Sequence, residues 1–431
     1  MKKNFYLKAM ALSVCLFLSV SNLSAYDFSG GSGTARDPYL ITTLADFDNI
    51  RTARDQKFQL TNDLDFSGYV REDNQPWWPI GEWGAGDNDP QRFSGVFDGN
   101  GFKIKNMVAD RSCHDLSLFG VTDGAKIVNL ILENCEFSAE ARMGALIGTA
   151  FRTQVDQCAV INVKVNGIYG PKVKIGGIVG WSQGSEITNC YSSGVVYSQG
   201  DEAGGICGAA ESGSTIANCY TTCIVESDNH AGGIAGAGNG SALLNCVVAS
   251  TEINCATDVF RVCGIDHGVV TRSNCYAFEN LLVNGNPATD DLGATTKNGA
   301  NASQEELTSV DFYDGIGFAI KATDPDDDEY VQIWKIDATV SPYPVFLWQE
   351  GEETAIRSND VSSYTCWTDG DGIKMKGFAG GEQIKVYSST GQITALFTAS
   401  AFMESFNIRQ SGVYFIRIVS GGNSRTLKVI R

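Results

Sequence analysis

Gly176-Gly177-Ile178-Val179-Gly180, followed by Glu186-Ile187-Thr188-Asn189-Cys190-Tyr191, decides the fold, because both pieces recur in phase. Gly204-Gly205-Ile206-Cys207-Gly208 and Gly232-Gly233-Ile234-Ala235-Gly236 follow at intervals of 28 residues. Gly144-Ala145-Leu146-Ile147-Gly148 upstream and Val262-Cys263-Gly264-Ile265 downstream are weaker copies. The second piece returns as Ile216-Ala217-Asn218-Cys219-Tyr220 and Leu243-Leu244-Asn245-Cys246, and Asn134-Cys135, Gln157-Cys158 and Asn274-Cys275 extend the series. Each unit holds only short β-rich pieces divided by Gly, Ser and Asn, too short to bury an apolar face alone. Stacking the units solves this by laying each strand on its equivalent in the next coil around one continuous core. No 3.6-residue periodicity runs through the unit, and a propeller blade would need longer alternating strands. The expected fold is all-β: a right-handed parallel β-helix, some eight coils making a rod of roughly 40 Å.

In such a stack Asn189, Asn218 and Asn245 are expected to form an amide ladder along one corner. The neighbouring cysteines are read as small core residues, because in-register side chains on parallel strands point the same way, which suits a disulfide poorly. Cys255–Cys263 and Cys219–Cys223 are the candidate exceptions. No metal site is expected, since paired Cys-x₂-Cys motifs are missing and His114, His230 and His267 are scattered.

Glycine accounts for 48 of 431 residues and proline for 9, a balance that favours tight corners between strands over loose linkers. The formal charge of −18 argues against nucleic acid as a partner. Lys2, Lys3 and Lys8 precede an apolar run from Ala9 to Val20 and a small-residue exit at Ser24-Ala25, which reads as a secretory signal peptide over residues 1–25. No later stretch is long and apolar enough to span a bilayer, and a monomer is expected.

The repeats resemble the GLUG repeat of bacterial surface proteins, and Gly176 to Tyr197 matches that pattern almost throughout. Leu60-Thr61-Asn62-Asp63-Leu64-Asp65, Trp78-Pro79-Ile80-Gly81 and Phe97-Asp98-Gly99-Asn100-Gly101 resemble the opening of such domains. The resemblance implies an N-terminal cap over 26–60, GLUG-like coils over 61–285 and a closing segment over 286–350. Within the cap, Leu44, Phe47 and Ile50 share one side of a short helix with Thr43 as N-cap. From residue 358 the repeat vanishes and period-2 strands appear, as in Gln383 to Tyr387, Gly412 to Val419 and Thr426 to Ile430, which points to a small antiparallel β-sandwich. Residues 358–431 resemble a type A C-terminal sorting domain. In Bacteroidetes this implies passage through the type IX secretion machinery, with Gly412, Tyr414 and Lys428 as parts of the signal.

Catalytic motifs do not assemble: there is no Gly-x-Ser-x-Gly elbow, no Walker loop and no dinucleotide fingerprint, and no cofactor is expected. Asp87, Asp89 and Asp98 are weak candidates for a carboxylate pair, since Asp98 sits in a turn. The acidic run Asp324 to Glu329 reads as a solvated loop. Trp77, Trp78, Trp83 and Trp181 are the candidate ligand-binding residues, because exposed indole faces stack on sugar rings; structural packing is the competing reading, particularly for Trp78. The sequence therefore points to an exported, non-enzymatic surface protein that binds a glycan or a host surface. A polysaccharide lyase or hydrolase would need Lys172, Lys174, Arg142 or Arg152 beside carboxylates of adjacent coils, and a plain structural spacer is the third reading.

Overall fold

The computed structural model describes residues 27–70, 76–83, 91–168, 173–320 and 332–349, and seven strands between Thr365 and Ile430. The expected signal peptide, Asp87, Asp89, Lys172, the acidic run 324–329 and Gly412 lie outside the described residues. Two compact units divide the chain after Gln349.

The first unit is a parallel β-solenoid. One complete coil runs through Val179–Gln183, Glu186–Thr188, Tyr191–Ser198 and Glu202–Gly204 before the next begins at Cys207–Glu211. These strands belong to four sheets, here I to IV in that order, containing six, nine, fifteen and five strands. Register is strict: Val155 pairs Ile187, Ile187 pairs Ile216, and Ile216 pairs Leu243, all four side chains fully buried in the core. The first glycine of each Gly-Gly-x-x-Gly unit makes the sharp corner from sheet IV to sheet I. A Cβ there would lie 2.0 Å from the Val179 carbonyl oxygen at Gly176, and 2.0 Å from that of Cys207 at Gly204. Glycine is needed here for space, since neither residue has a positive φ.

The corner after sheet II uses asparagine for a different reason. Asn189, Asn218, Asn245 and Asn274 all adopt left-handed φ between 50° and 53°. Asn tolerates that region because its short amide bonds locally. Here the amides bond one another: Asn218 Nδ2 donates to Asn189 Oδ1 (3.3 Å), Asn245 to Asn218 (2.9 Å) and Asn274 to Asn245 (3.0 Å). The thiols of Cys158, Cys190, Cys219, Cys246 and Cys275 are buried beside this ladder. Cys135 belongs elsewhere. Glu136 pairs Lys164, so Cys135 lies level with Val163 at the next corner, where Asn162 donates to Asn134 (2.7 Å). Cys158 follows Cys135 by 23 residues, where the later members are 27 to 32 apart, and the shorter step marks the change of corner. The candidate disulfides are also corrected, for Cys219, Cys223, Cys255 and Cys263 are free thiols. Cys219 turns to the carbonyls of Ile187 and Ala217, Cys223 towards that of Gly205 and Cys263 towards that of Ile265, so neither pair faces itself.

At the N-terminal end, helix α1 (Leu44–Asn49) is capped as the sequence suggests: Thr43 Oγ1 accepts from Asp46 N (3.1 Å) and Asp46 accepts from Thr43 N (2.8 Å). Phe47 is fully buried over the core, 5.6 Å from the rings of Trp77 and Phe97. Parallel stacking already begins inside this segment, where Tyr39–Ile41 pairs Lys57–Leu60. At the far end Ala300–Ala302 adds a last rung to sheet III. Of the segment 286–350 expected to close the end, residues 303–320 and 332–349 instead pack along the side of the solenoid. Trp334, Phe346, Phe318 and Tyr313 bury the outward row Ile131, Ala159, Tyr191, Tyr220 and Val247 of sheet III. Tyr191 and Tyr220 are stacked 5.0 Å apart beneath this cover and bond to Gln349 and the Pro344 carbonyl.

In the second unit the described strands pair antiparallel. Thr365–Asp369, Gly372–Lys376 and Met403–Asn407 form one sheet. Gln383–Ser388, Ile393–Thr398, Val413–Ser420 and Asn423–Ile430 form a second, with Ile384, Val386, Ile416 and Ile418 buried at alternate positions. Tyr414 and Lys428 lie on neighbouring strands of that sheet, with Tyr414 opposite Val429.

Candidate functional site

The outer surface where sheets IV and I meet is built from three in-register rows. The residue after each Gly-Gly-x-x-Gly unit gives the first: Val121, Thr149, Trp181, Ala209 and Ala237 pair successively. Two residues later lies the second row, Asp123, Phe151, Gln183, Glu211 and Asn239. Sheet IV supplies the third: Arg142, Lys174, Glu202, His230 and Asp258. The first row is small except at Trp181, so the longer neighbours close over it.

The insertion before Phe93 lays further side chains on this surface. Ile80 bridges to Phe119 and Phe93 to Thr122, adding a partial rung ahead of the first strand of sheet I. Arg51 fixes its entrance by donating to the carbonyls of Trp78 and Pro79 while its guanidinium lies 4.5 Å from the Trp77 ring. Trp77 is therefore not a surface residue. It is 1% exposed, packs against Phe47 and Phe66, and donates to the Ser117 carbonyl (3.0 Å). Trp77 pointed inward because the insertion supplies core over the N-terminal coils. Trp78 is half-buried, donates to Glu82 Oε1 (2.9 Å) and lies under the Arg111 guanidinium (4.7 Å).

Among the described residues Trp83 is the exposed tryptophan, at 46%. Its ring lies 6.3 Å from that of Trp181, nearly parallel at 19°, and 5.5 Å from Phe151. Arg142 sits 4.4 Å from the Trp83 ring and 5.6 Å from Trp181; Arg92 sits 5.7 Å from Trp83 and 4.6 Å from Phe151. The structure thus joins two candidates, Trp83 and Trp181, into one supported aromatic shelf. Phe151, Arg92 and Arg142 complete it, and the phase of Phe151 in its row was the sequence signal for it.

Beside the shelf is a cleft of about 460 Å³ lined by Trp78, Pro79, Gly81, Glu82, Trp83, Cys113, His114, Asp115, Val121 and Arg142. That volume suits a small ligand or the end of a larger one. Asp115 forms a buried wall of the cleft. It accepts from Thr149 Oγ1 (2.5 Å) and Arg142 (3.0 Å), and burial pushes its carboxyl up despite the guanidinium. Burial likewise pushes the Cys113 thiol up, which disfavours the thiolate a nucleophile would need. Farther along, Lys174 pairs with Glu202 and with Glu211 (3.4 Å), and His267 Nε2 lies 3.2 Å from Glu202. Asp123 takes both Arg92 (2.9 Å) and Arg152 (2.5 Å). Arg142, Arg152 and Lys174 do meet carboxylates of neighbouring coils, Arg152 and Lys174 as members of shared ion-pair networks. Asp98 does not join them: it accepts from Asn100 N (2.8 Å) and the Asn129 amide (3.1 Å) at the opposite end of its short strand. Among the described residues no His, Cys, Asp or Glu cluster is arranged to hold a metal ion, and no helix is long and apolar enough to cross a membrane.

Against known proteins, the GLUG motif matches residues 174–197. The matched segment is one coil of the parallel β-solenoid, so the chain carries a GLUG motif within a β-helical fold. A provisionally named Gly-rich membrane protein of Evansella cellulosilytica is 31% identical over 165 residues, 35% of this chain and 18% of that protein. Halomucin of Haloquadratum walsbyi is 34% identical over 172 residues, 38% of this chain and 2% of halomucin. The chain thus spans less than a fifth of the length of these relatives. A crystal structure from Bacteroides ovatus, provisionally named an immunoglobulin A1 protease, is similar at 21% identity with a TM-score of 0.48, covering 75% of this chain and 96% of the other.

Proposed function

We propose that this chain is a non-enzymatic, cell-surface or extracellular protein whose solenoid binds carbohydrate on a host or environmental surface, with the Trp83–Trp181 shelf as its contact. The exposed Trp83 face, held rigid by Arg142, Phe151 and Trp181 at the mouth of a cleft, carries this reading. A flat indole fixed before binding loses little conformational entropy when a sugar ring stacks on it. The matched segments of a Gly-rich membrane protein and of halomucin support a surface setting. The terminal antiparallel unit supports export by the type IX route, with Gly412, Tyr414 and Lys428 in the signal and removal of 358–431 retaining the protein inside the cell.

The direct test is a glycan and matrix-protein array probed with the chain from residue 26, beside the same chain carrying Trp83→Ala. Binding that survives unchanged in the variant removes the shelf as the site. Polysaccharide cleavage is the second reading, favoured by the approach of Arg142 to the raised carboxyl of Asp115 in the cleft. New reducing ends or unsaturated products on incubation with polysaccharides would replace the binding reading with it.

A further inference from the structure

We infer that the ligand of the Trp83 shelf is an uncharged glycan, not a polyanion such as a sulfated or uronate-rich chain and not a cationic group. This deepens the carbohydrate reading and rests on it. The shelf is flanked by four basic residues, which at first sight would suit a polyanion. Each is already held by a carboxylate: Arg142 by Asp115, Arg92 and Arg152 by Asp123, and Lys174 by Glu202 and Glu211. Recruiting Arg142 to an anionic ligand would leave Asp115 without its guanidinium, and recruiting Lys174 would leave Glu202 with only His267. Both carboxylates are buried, where an uncompensated charge is costly, while Arg92 and Arg152 share the buried Asp123. Glu82 on the cleft and a chain charge of −18 add repulsion.

A cation is disfavoured by a separate feature. Arg142 and Arg92 lie against the Trp83 ring at 4.4 and 5.7 Å. Positive charge on one face of an indole opposes a second cation at the other and draws on the same π density. What the shelf keeps is a large apolar plane with a polar cleft beside it. That suits the C–H face and hydroxyl edge of a neutral sugar.

The experiment titrates the chain from residue 26 with cellohexaose, maltohexaose and mannan as neutral probes, heparin and polygalacturonate as anions, and phosphocholine as a cation-bearing probe. Each is measured at low and high salt and repeated with Trp83→Ala and Trp83→Phe. The expected result is binding of at least one neutral probe that is insensitive to salt, falls about tenfold or more in Trp83→Ala and is largely kept in Trp83→Phe. Trp83-dependent binding confined to heparin or polygalacturonate and weakened steeply by salt, or confined to phosphocholine, overturns the inference while leaving the shelf as a site. If no probe binds in a Trp83-dependent way, the carbohydrate reading itself falls, and the inference with it.

Discussion

Two of the aromatic residues that one coil carries to the outside, Trp181 on sheet I and Tyr191 on sheet III, meet different fates. Tyr191 stacks on Tyr220 at 5.0 Å and is buried under Trp334 and Phe346. Trp181 stacks under Trp83, whose outer face meets solvent. An aromatic stack on a solenoid face is therefore not by itself a binding site. Whether a later segment returns to cover it decides between core and contact, and here the cover comes from residues 303–320 and 332–349.

The largest effect should come from breaking the covered face. Trp334→Ala removes a fully buried indole packed on Tyr191, Tyr220 and Phe346 and is expected to cost about 3–5 kcal/mol, read as a lowered thermal or denaturant midpoint. Trp83→Ala is the counterpart on the open face: stability should change by no more than ~0.5 kcal/mol while glycan binding is lost. Equal destabilisation by the two would erase the distinction between the faces.

Next in size is Asn218→Ala in the amide ladder, which removes bonds to Asn189 and Asn245 and places alanine at φ 53°. A loss of about 1–3 kcal/mol is expected, with Asn218→Gly recovering part of it by relieving the backbone alone; equal losses in both would assign the whole effect to the amide bonds. The smallest effect is a pH dependence at the N-terminal cap. Burial alone would raise the Asp46 carboxyl, but hydrogen bonds from Ser29, Thr43 and Thr42 outweigh it and hold it below the usual carboxylate range. Because the folded value is the lower one, this contribution is full above the ordinary aspartate range and is lost as pH falls through the folded value. Asp46→Asn should therefore flatten the acid limb of stability slightly, and an unchanged limb would remove Asp46 as its source.

Much of the solenoid was legible because its signals are local and repeated. Gly176 and Gly204 sit where no Cβ fits, and Asn189, Asn218 and Asn245 sit where the left-handed turn needs a short amide. Such constraints appear at every rung and so show as a period. The cover over Tyr191 was not legible, since a segment more than a hundred residues later makes it without any repeat. Trp77 and Trp83 looked alike for the same reason: only the placement of the insertion by Arg51 and by the bridge of Ile80 to Phe119 separates core from surface. Trp181 could have been singled out, because it alone is bulky among Val121, Thr149, Ala209 and Ala237 in its row.

The most direct test of the difference between the faces is tryptophan-selective oxidation of the folded chain, read residue by residue with and without a bound glycan. Trp83 should be modified first and be protected by the glycan, while Trp334 and Trp77 stay unmodified until the chain unfolds. Modification of Trp334 at the rate of Trp83, or no protection of Trp83 by a glycan that binds, would contradict the account.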